Sequence, residues 1–377
     1  MKYYIVSGEP SGDLHGAELL KNIKQIDKNA EFRGWGGDLM KQEGMTLTKH
    51  IRDLAFMGFV EVVKNLKTIK KNFGSIQKDI VAYAPDAVIL IDYPGFNLRL
   101  AKFLKAKGFT VLYYIAPQAW AWKKNRVKTL KKYIDRLFVI LPFEKDFFSS
   151  FDIPVTYEGH PLKEIIGNFQ KKYTTQQQEQ FRASLGCRPD CKIVALLPGS
   201  RLQEIEKKLP VMLSVTRYFP EYQFVVAASP TIDLHLYRQW VQKYDNIKLV
   251  TNRTYELLTN AYAALVTSGT ATLETALFNV PQIVCYKSGN LSYQIAKRII
   301  KVRYISLVNL INNKLTVKEM IQNDCEPAPL LSELKQLLEN PHYRKDILAG
   351  YKQLQQQLGE TDIVKRIASQ MVILAKH

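Results

Sequence analysis

The feature that most constrains this chain is a repeated alternation of short, continuous apolar runs with longer stretches of helical period. In the first half the runs are Tyr3 to Ser7, Ala87 to Ile91, Thr110 to Ile115, Arg136 to Ile140 and Val155 to Glu158. In the second half they are Lys192 to Leu197, Gln223 to Ala228, Lys248 to Thr251, Ala263 to Thr267 and Gln282 to Tyr286. A strand that is apolar on both sides must be covered on both faces, as a parallel sheet with crossover helices provides. The series predicts two doubly wound α/β domains, Rossmann-like halves facing a cleft. A length of 377 residues suits two such domains better than one.

The expected boundaries follow the changes in pattern. Residues 1–168 form the first domain. Residues 169–190 are polar, with three consecutive glutamines at Gln176 to Gln178, and read as a connector. Residues 191–340 form the second domain. The tail 341–377 is helical in period, with Leu348, Tyr351, Leu354 and Leu358 in register, and is expected to pack back on the N-terminal domain.

Charge narrows the partners without choosing one. Lys and Arg number 53 against 35 Asp and Glu, a net charge of +18. Such an excess attracts nucleic acid, an anionic membrane or phosphorylated substrates, and also serves simply as a soluble surface. The four cysteines, Cys187, Cys191, Cys285 and Cys325, form no CxxC pair, and Cys187 and Cys191 sit in a polar turn with no histidine nearby in sequence, so a zinc site is not expected. Their small number suits a reducing cytosol. The N-terminal residues lack the apolar run of a signal peptide, and no segment approaches the roughly 20 apolar residues of a spanning helix. Membrane contact is therefore expected to be peripheral.

In such sheets ligands bind past the carboxyl ends of strands, so chemistry is sought there. Ser7-Gly-Glu-Pro-Ser-Gly-Asp13 joins the first strand to a helix. Its glycines would let a substrate approach the backbone, and Ser11 or Asp13 could cap the helix. A plain tight turn explains it equally, and the spacing is not that of a dinucleotide loop. Asp92 ends a wholly apolar strand. It could take a proton from an attacking hydroxyl or brace the turn before a helix near Phe96. Trp120 and Trp122 alternate beyond the next strand and run into Lys123-Lys124-Asn125-Arg126. Their rings would stack on sugars, lie at a membrane interface or pack in the core. His160, in Gly159-His160-Pro161, falls at the domain junction, with a structural role the alternative.

In the second half, Arg201 follows Leu197-Pro198-Gly199-Ser200 and could fork onto a diphosphate. Without a lysine this is no Walker loop. Thr267-Ser268-Gly269-Thr270 leads from a strand into a helix whose first amides suit a phosphate. Glu274, one turn on, could accept two ribose hydroxyls. A capping box is the alternative, though its spacing would be three rather than four.

These stretches together resemble the lipid-A-disaccharide synthase family of glycosyltransferase type B fold. The resemblance rests on Ser7 to Asp13, Met57-Gly-Phe-Val-Glu-Val62, Ile91-Asp-Tyr-Pro-Gly-Phe-Asn97, Pro117-Gln-Ala-Trp-Ala-Trp122, Leu141-Pro-Phe-Glu144, Gly159-His160, Leu196-Leu-Pro-Gly-Ser-Arg201 and Ser268-Gly-Thr-Ala271, in order along nearly the whole chain. The departures are confined to Pro10 and to Tyr93 through Gly95. The resemblance implies an inverting transfer. UDP-2,3-diacylglucosamine meets 2,3-diacylglucosamine 1-phosphate, whose 6-hydroxyl displaces UDP to give a β-1,6-linked disaccharide 1-phosphate. It implies Asp92 as base, with Glu9 and His160 beside it in catalysis. It places UDP on Ser200, Arg201, Ser268, Gly269, Thr270, Glu274 and Asn309, and the lipid acceptor near Ser11, Asp13, Met57, Trp120 and Trp122. No metal or other cofactor is implied, since cationic side chains and helix amides can hold a diphosphate. It also points to a homodimer lying on the inner face of the inner membrane.

The segment Met57 to Tyr83 mixes Val60, Val63, Ile69, Phe73, Ile76 and Ile80 with Lys64, Lys67, Lys70, Lys71 and Lys78. It reads either as a basic interfacial helix or as an amphipathic helix facing the core. Competing functions are a peptidoglycan N-acetylglucosaminyl transferase, a UDP-sugar epimerase and an RNA-binding protein. The first would carry a Gly-rich N-terminal loop ending in His. The last would show a recognisable module, and Glu9, Asp92 and Glu274 oppose a nucleic-acid groove.

Overall fold

The structure is a computed structural model. It describes the chain except residues 55–65, 122–124, 189, 231, 290–292, 295–297, 299–301 and 377, and the side chains of residues 66, 67 and 69. The chain divides into two compact units, Met1–Pro161 with Gly359–His377, and Leu162–Leu358.

The first unit holds β1 (Lys2–Val6), β2 (Glu31–Gly36), β3 (Thr46–His50), β4 (Ala87–Ile91), β5 (Thr110–Tyr114), β6 (Arg136–Val139) and β7 (Val155–Tyr157). They form one parallel sheet in the order β3-β2-β1-β4-β5-β6-β7. The second holds β8 (Lys192–Leu197), β9 (Tyr222–Ala228), β10 (Ile247–Thr251), β11 (Ala261–Thr267), β12 (Gln282–Tyr286) and β13 (Lys318–Ile321), parallel in the order β10-β9-β8-β11-β12-β13. Each sheet is wound outward in both directions from its first strand. The winding reverses between β1 and β4 in one unit and between β8 and β11 in the other.

Both faces of the first sheet are buried, and the two-residue period of a strand divides them. Tyr3, Ile5, Ile89, Ile91, Leu112 and Tyr114 pack on one side, against Leu19, Leu20 and Ile23 of the helix Pro10–Ile26. Tyr4, Val6, Val88, Leu90, Val111 and Tyr113 pack on the other, with Leu100 and Leu104 of the helix Pro94–Ala106. Ile76 and Ile80, from the helix Leu66–Tyr83, join this second cluster with Phe73 against it, while Lys70, Lys71 and Lys78 are exposed. The described part of that segment is therefore the core-facing amphipathic helix of the two alternatives. Met57, Val60, Val63 and Lys64 lie outside the described residues.

The boundaries differ from expectation at three points. The tail divides. Ile363–Ala375 belongs to the first unit, where Ile363, Val364, Ile367 and Met371 pack among the residues that face Ile5. The helix Pro341–Gln357 belongs instead to the second, and buried Tyr351 donates to Val280 O at 3.0 Å and accepts from Gln282 Nε2 at 3.1 Å. The expected connector is two helices, Pro161–Lys172 and Thr175–Ser184, anchored in the second unit by Phe169 against Tyr255 and Phe278 and by buried Phe181. Thr174 starts the latter with a capping box to Gln177. The first unit thus ends its main span at Pro161 rather than residue 168.

Candidate active site

Two polar turns meet where the winding of the first sheet reverses, the position at which open α/β sheets bind ligands. After β1, the helix Pro10–Ile26 starts with Glu9 at its N-cap and Pro10 in the first turn. Gly8 and Gly12 are required by packing. A Cβ on Gly8 would lie 2.5 Å from the Tyr93 ring, and one on Gly12 2.2 Å from Ser7 Oγ. Ser11 is exposed. Asp13 does not cap its own helix. It is 4% exposed and accepts from Gly37 N (2.7 Å), Leu39 N (3.1 Å) and Met40 N (3.1 Å), so it caps the short helix Asp38–Gln42. Three amide donors on one buried carboxylate make it a brace of this turn.

Asp92 sits directly after β4. It and Tyr93 both adopt left-handed backbone, φ 44° and 49°, before the helix Pro94–Ala106 begins. For non-glycine residues that conformation costs about 1–3 kcal/mol each and persists only where neighbours impose it. Here they do. Asp92 O accepts from Tyr113 Oη at 2.6 Å and from Asn97 Nδ2 at 2.8 Å, and Tyr93 O accepts from Asn97 N at 3.0 Å. The Asp92 carboxyl is thereby held at the sheet end beside Glu9 and Arg126. Burial, and next the negative charge of Glu9, raise its pKa from 3.8 to about 6, with the Tyr93 amide and Arg126 acting against them.

The next two strand ends add an aromatic and an acid. Trp120, partly exposed beyond β5, donates from Nε1 to Glu144 Oε1 at 2.9 Å and packs edge-to-face on Phe143 at 4.8 Å. Glu144 opens the helix Pro142–Ser149 and is 1% exposed; burial raises its pKa to about 7. Trp122 lies outside the described residues. His160 is buried with its ring 6.5 Å from that of His15. Burial lowers both imidazoles, to about 3 for His160, where His15 adds to the effect, and to about 4 for His15. Both are neutral at physiological pH.

In the second unit the polar turns again meet where the winding reverses. Ser200 and Arg201 are exposed after β8, and Arg201 is the N-cap of the helix Leu202–Ser214. After β11, Ser268 donates from Oγ to Ile305 O at 2.8 Å, and Gly269, φ 150°, caps the helix Thr270–Leu277. Gly269 and Thr270 are exposed. Glu274 accepts from Tyr255 Oη at 3.0 Å, and burial raises its pKa. Asn309 stands apart from this set. It is fully buried. Its Nδ2 donates to Val317 O and Glu319 Oε1, both at 2.8 Å, and its Oδ1 accepts from Thr316 N (2.8 Å) and Val317 N (2.9 Å). That side chain is fully engaged in holding the turn before β13 and has nothing left for a nucleotide.

Sequence reasoning from the residues alone passed over Tyr113, Asn97, His15, Tyr255, the closeness of Arg126 to Asp92 and the pairing of Glu144 with Trp120. Only Glu144 had a visible signal, an acid shortly after a strand end in Leu141-Pro-Phe-Glu144.

Two parallel-sheet α/β units with such turns define a type B glycosyltransferase fold, shared with sugar-nucleotide epimerases. The chain is similar in fold to a UDP-GlcNAc 2-epimerase from Neisseria meningitidis solved with UDP-GlcNAc (TM-score 0.71, 14% identity, 99% of this chain and 100% of that one). It is similar also to a glycosyltransferase from Rickettsia africae (TM-score 0.60, 12% identity, 100% and 97%). Sequence narrows the class. Residues 3–372 match the family model described as Lipid-A-disaccharide synthetase, and a lipid-A-disaccharide synthase from Syntrophus aciditrophicus is 39% identical over 99% of this chain and 97% of its own. The chain belongs to the lipid-A-disaccharide synthetase family.

Proposed function

We infer that this glycosyltransferase of lipid A biosynthesis joins UDP-2,3-diacylglucosamine to 2,3-diacylglucosamine 1-phosphate. The products are a β-1,6-linked disaccharide 1-phosphate and UDP. The observation that carries the mechanism is Asp92: a carboxyl at a sheet's switch point, on imposed backbone, with a proton affinity raised toward neutrality. A base works best when its pKa lies near the working pH. Asp92 takes the proton of the acceptor 6-hydroxyl as that oxygen bonds to C1 of the donor. The bond from C1 to the UDP oxygen breaks on the opposite face, so the configuration inverts. Glu9 supports this step by raising the proton affinity of Asp92. His160, neutral and buried beside His15, would support the site without contributing a charge.

UDP belongs to the second unit. Arg201, exposed at a helix N-cap, and the first amides of Thr270–Leu277 take the diphosphate, which lowers the cost of its departing charge. Glu274, oriented by Tyr255, takes the ribose hydroxyls. Both lipid substrates carry phosphate, which suits the net charge of +18. Among the described residues no helix is long and apolar enough to cross a membrane. We assign the protein a peripheral place on the inner face of the inner membrane, and a homodimer as its assembly. The test is UDP release, which should require both acylated sugars. Release from the UDP-sugar alone at the same rate would refute transfer to this acceptor.

A further inference from the structure

Glu144 is a buried carboxylate that the transfer step leaves unassigned. Three N–H donors converge on it: Trp120 Nε1 on Oε1 at 2.9 Å, and Ile140 N (3.3 Å) and Leu141 N (3.0 Å) on Oε2. The start of the helix Pro142–Ser149 needs only the two backbone bonds. The other oxygen is given to the indole. Trp120 is thus held twice, by a hydrogen bond at its ring nitrogen and by the Phe143 ring at 4.8 Å, and yet it stays partly exposed.

Its place in the sheet gives that arrangement a purpose. Asp92 follows β4, Trp120 lies in the loop after β5, and Glu144 in the first turn after β6. Register keeps the three strand ends together, with Asp92 N on Tyr114 O at 3.0 Å and Ile115 N on Phe138 O at 2.9 Å. The negative charge of Asp92 is felt at Glu144, the smallest of the influences on its proton affinity. An aromatic face presents apolar area with little conformational freedom to lose, which suits a sugar ring or acyl chain.

We propose that Glu144 is a positioning residue that fixes the Trp120 indole as a rigid aromatic wall for the acylated acceptor sugar, on the same sheet edge as Asp92. This rests on the reading of Asp92 as the base. The chemistry of the carboxylate makes it testable. Glutamine has one acceptor oxygen, so in Glu144→Gln it can serve either the two backbone amides or the indole, and its NH2 meets a donor on the other side. Two amides outweigh one, so Trp120 is released while the helix start is kept.

Steady-state kinetics with 2,3-diacylglucosamine 1-phosphate as the varied substrate should show KM raised about tenfold in Glu144→Gln, with kcat changed far less, the pattern of lost binding common to ground and transition states. Trp120→Phe should do the same, and the double variant should be no worse than either single one, because both remove one interaction. The emission of Trp120, taken as the difference between wild type and Trp120→Phe, should shift to the red in Glu144→Gln. A wild-type KM in Trp120→Phe, or effects that multiply in the double variant, would overturn the proposal. Should Glu144→Gln fail to fold, Trp120→Phe alone decides: raised KM supports, wild-type KM refutes. Disaccharide formation by the wild type, run alongside, separates the two readings. Its absence would sink the transferase reading, whereas normal wild-type turnover with indifferent variants would sink only the positioning role.

Discussion

Replacing Asp92 by Asn separates a base from a brace, because the two roles predict opposite changes in stability. The carboxyl has a pKa near 6 in the folded chain against 3.8 ordinarily, mainly because burial disfavours its charged form. The folded state therefore binds the proton more tightly than the unfolded one. Stability from this group is fully present below about pH 4 and is lost as pH rises through about 6. A difference of that size corresponds to about 3 kcal/mol, and partial solvent access reduces that to about 1–3 kcal/mol. Asn keeps the shape and can still accept from the Tyr93 amide, but it carries no charge. At pH 8 Asp92→Asn should melt several degrees above the wild type, at about 2–4 °C per kcal/mol for a unit of this size. At pH 4 the two should converge. Turnover should fall by about 10²-fold or more, and the wild-type rate should decline as pH drops below about 6. The assays are calorimetric melting across pH and initial rates of UDP release. A variant that melts lower at pH 8 would make Asp92 a brace, and one with near-wild-type turnover would remove it from the chemistry.

Arg201→Ala and Glu274→Ala should each weaken UDP binding by about 1.5–3 kcal/mol, roughly ten- to a hundredfold in Kd by calorimetry; unchanged affinity in both would move the nucleotide elsewhere. Asp13→Ala strands three amides of a buried turn and should cost more than about 3 kcal/mol in melting experiments, with no change in UDP affinity. Asn309→Ala should likewise lower the melting point while the folded protein binds UDP normally; selective loss of UDP affinity would restore Asn309 to the nucleotide site. Lys70→Glu with Lys71→Glu should leave both the melting point and co-sedimentation with anionic vesicles at low salt nearly unchanged, since both lysines are exposed on a helix whose apolar face is in the core; a clear loss of vesicle binding would make this helix the membrane contact.

What was legible in the sequence is what depends on neighbours in the chain. The interior strands β1, β4, β8 and β11 announce themselves because a strand buried on both faces is a continuous apolar run. The turns that follow them, Ser7 to Asp13, Asp92, Arg201 and Ser268 to Thr270, could be singled out for the same reason. Three strands were missed, two of them at sheet edges. β3 (Thr46–His50) and β13 (Lys318–Ile321) are polar because one side of each has no neighbour, and β2 (Glu31–Gly36) carries two glycines. Long-range polar bonding was illegible too. Asp13 looks like a cap for its own helix, yet its partners begin 24 residues on at Gly37. Asn309 looks like a ligand group until Thr316, Val317 and Glu319 close on it. The division of the tail could not be seen either, because helices bound for different units share one period.

The central claim is tested most directly by incubating the protein with UDP-2,3-diacylglucosamine and 2,3-diacylglucosamine 1-phosphate and identifying the product by mass spectrometry and by proton NMR of the new anomeric centre. The expected result is a tetra-acylated disaccharide 1-phosphate with a β-1,6 linkage, formed in step with UDP and lost in Asp92→Asn. A UDP-sugar epimerised without transfer, an α linkage, or disaccharide made equally well by Asp92→Asn would contradict it.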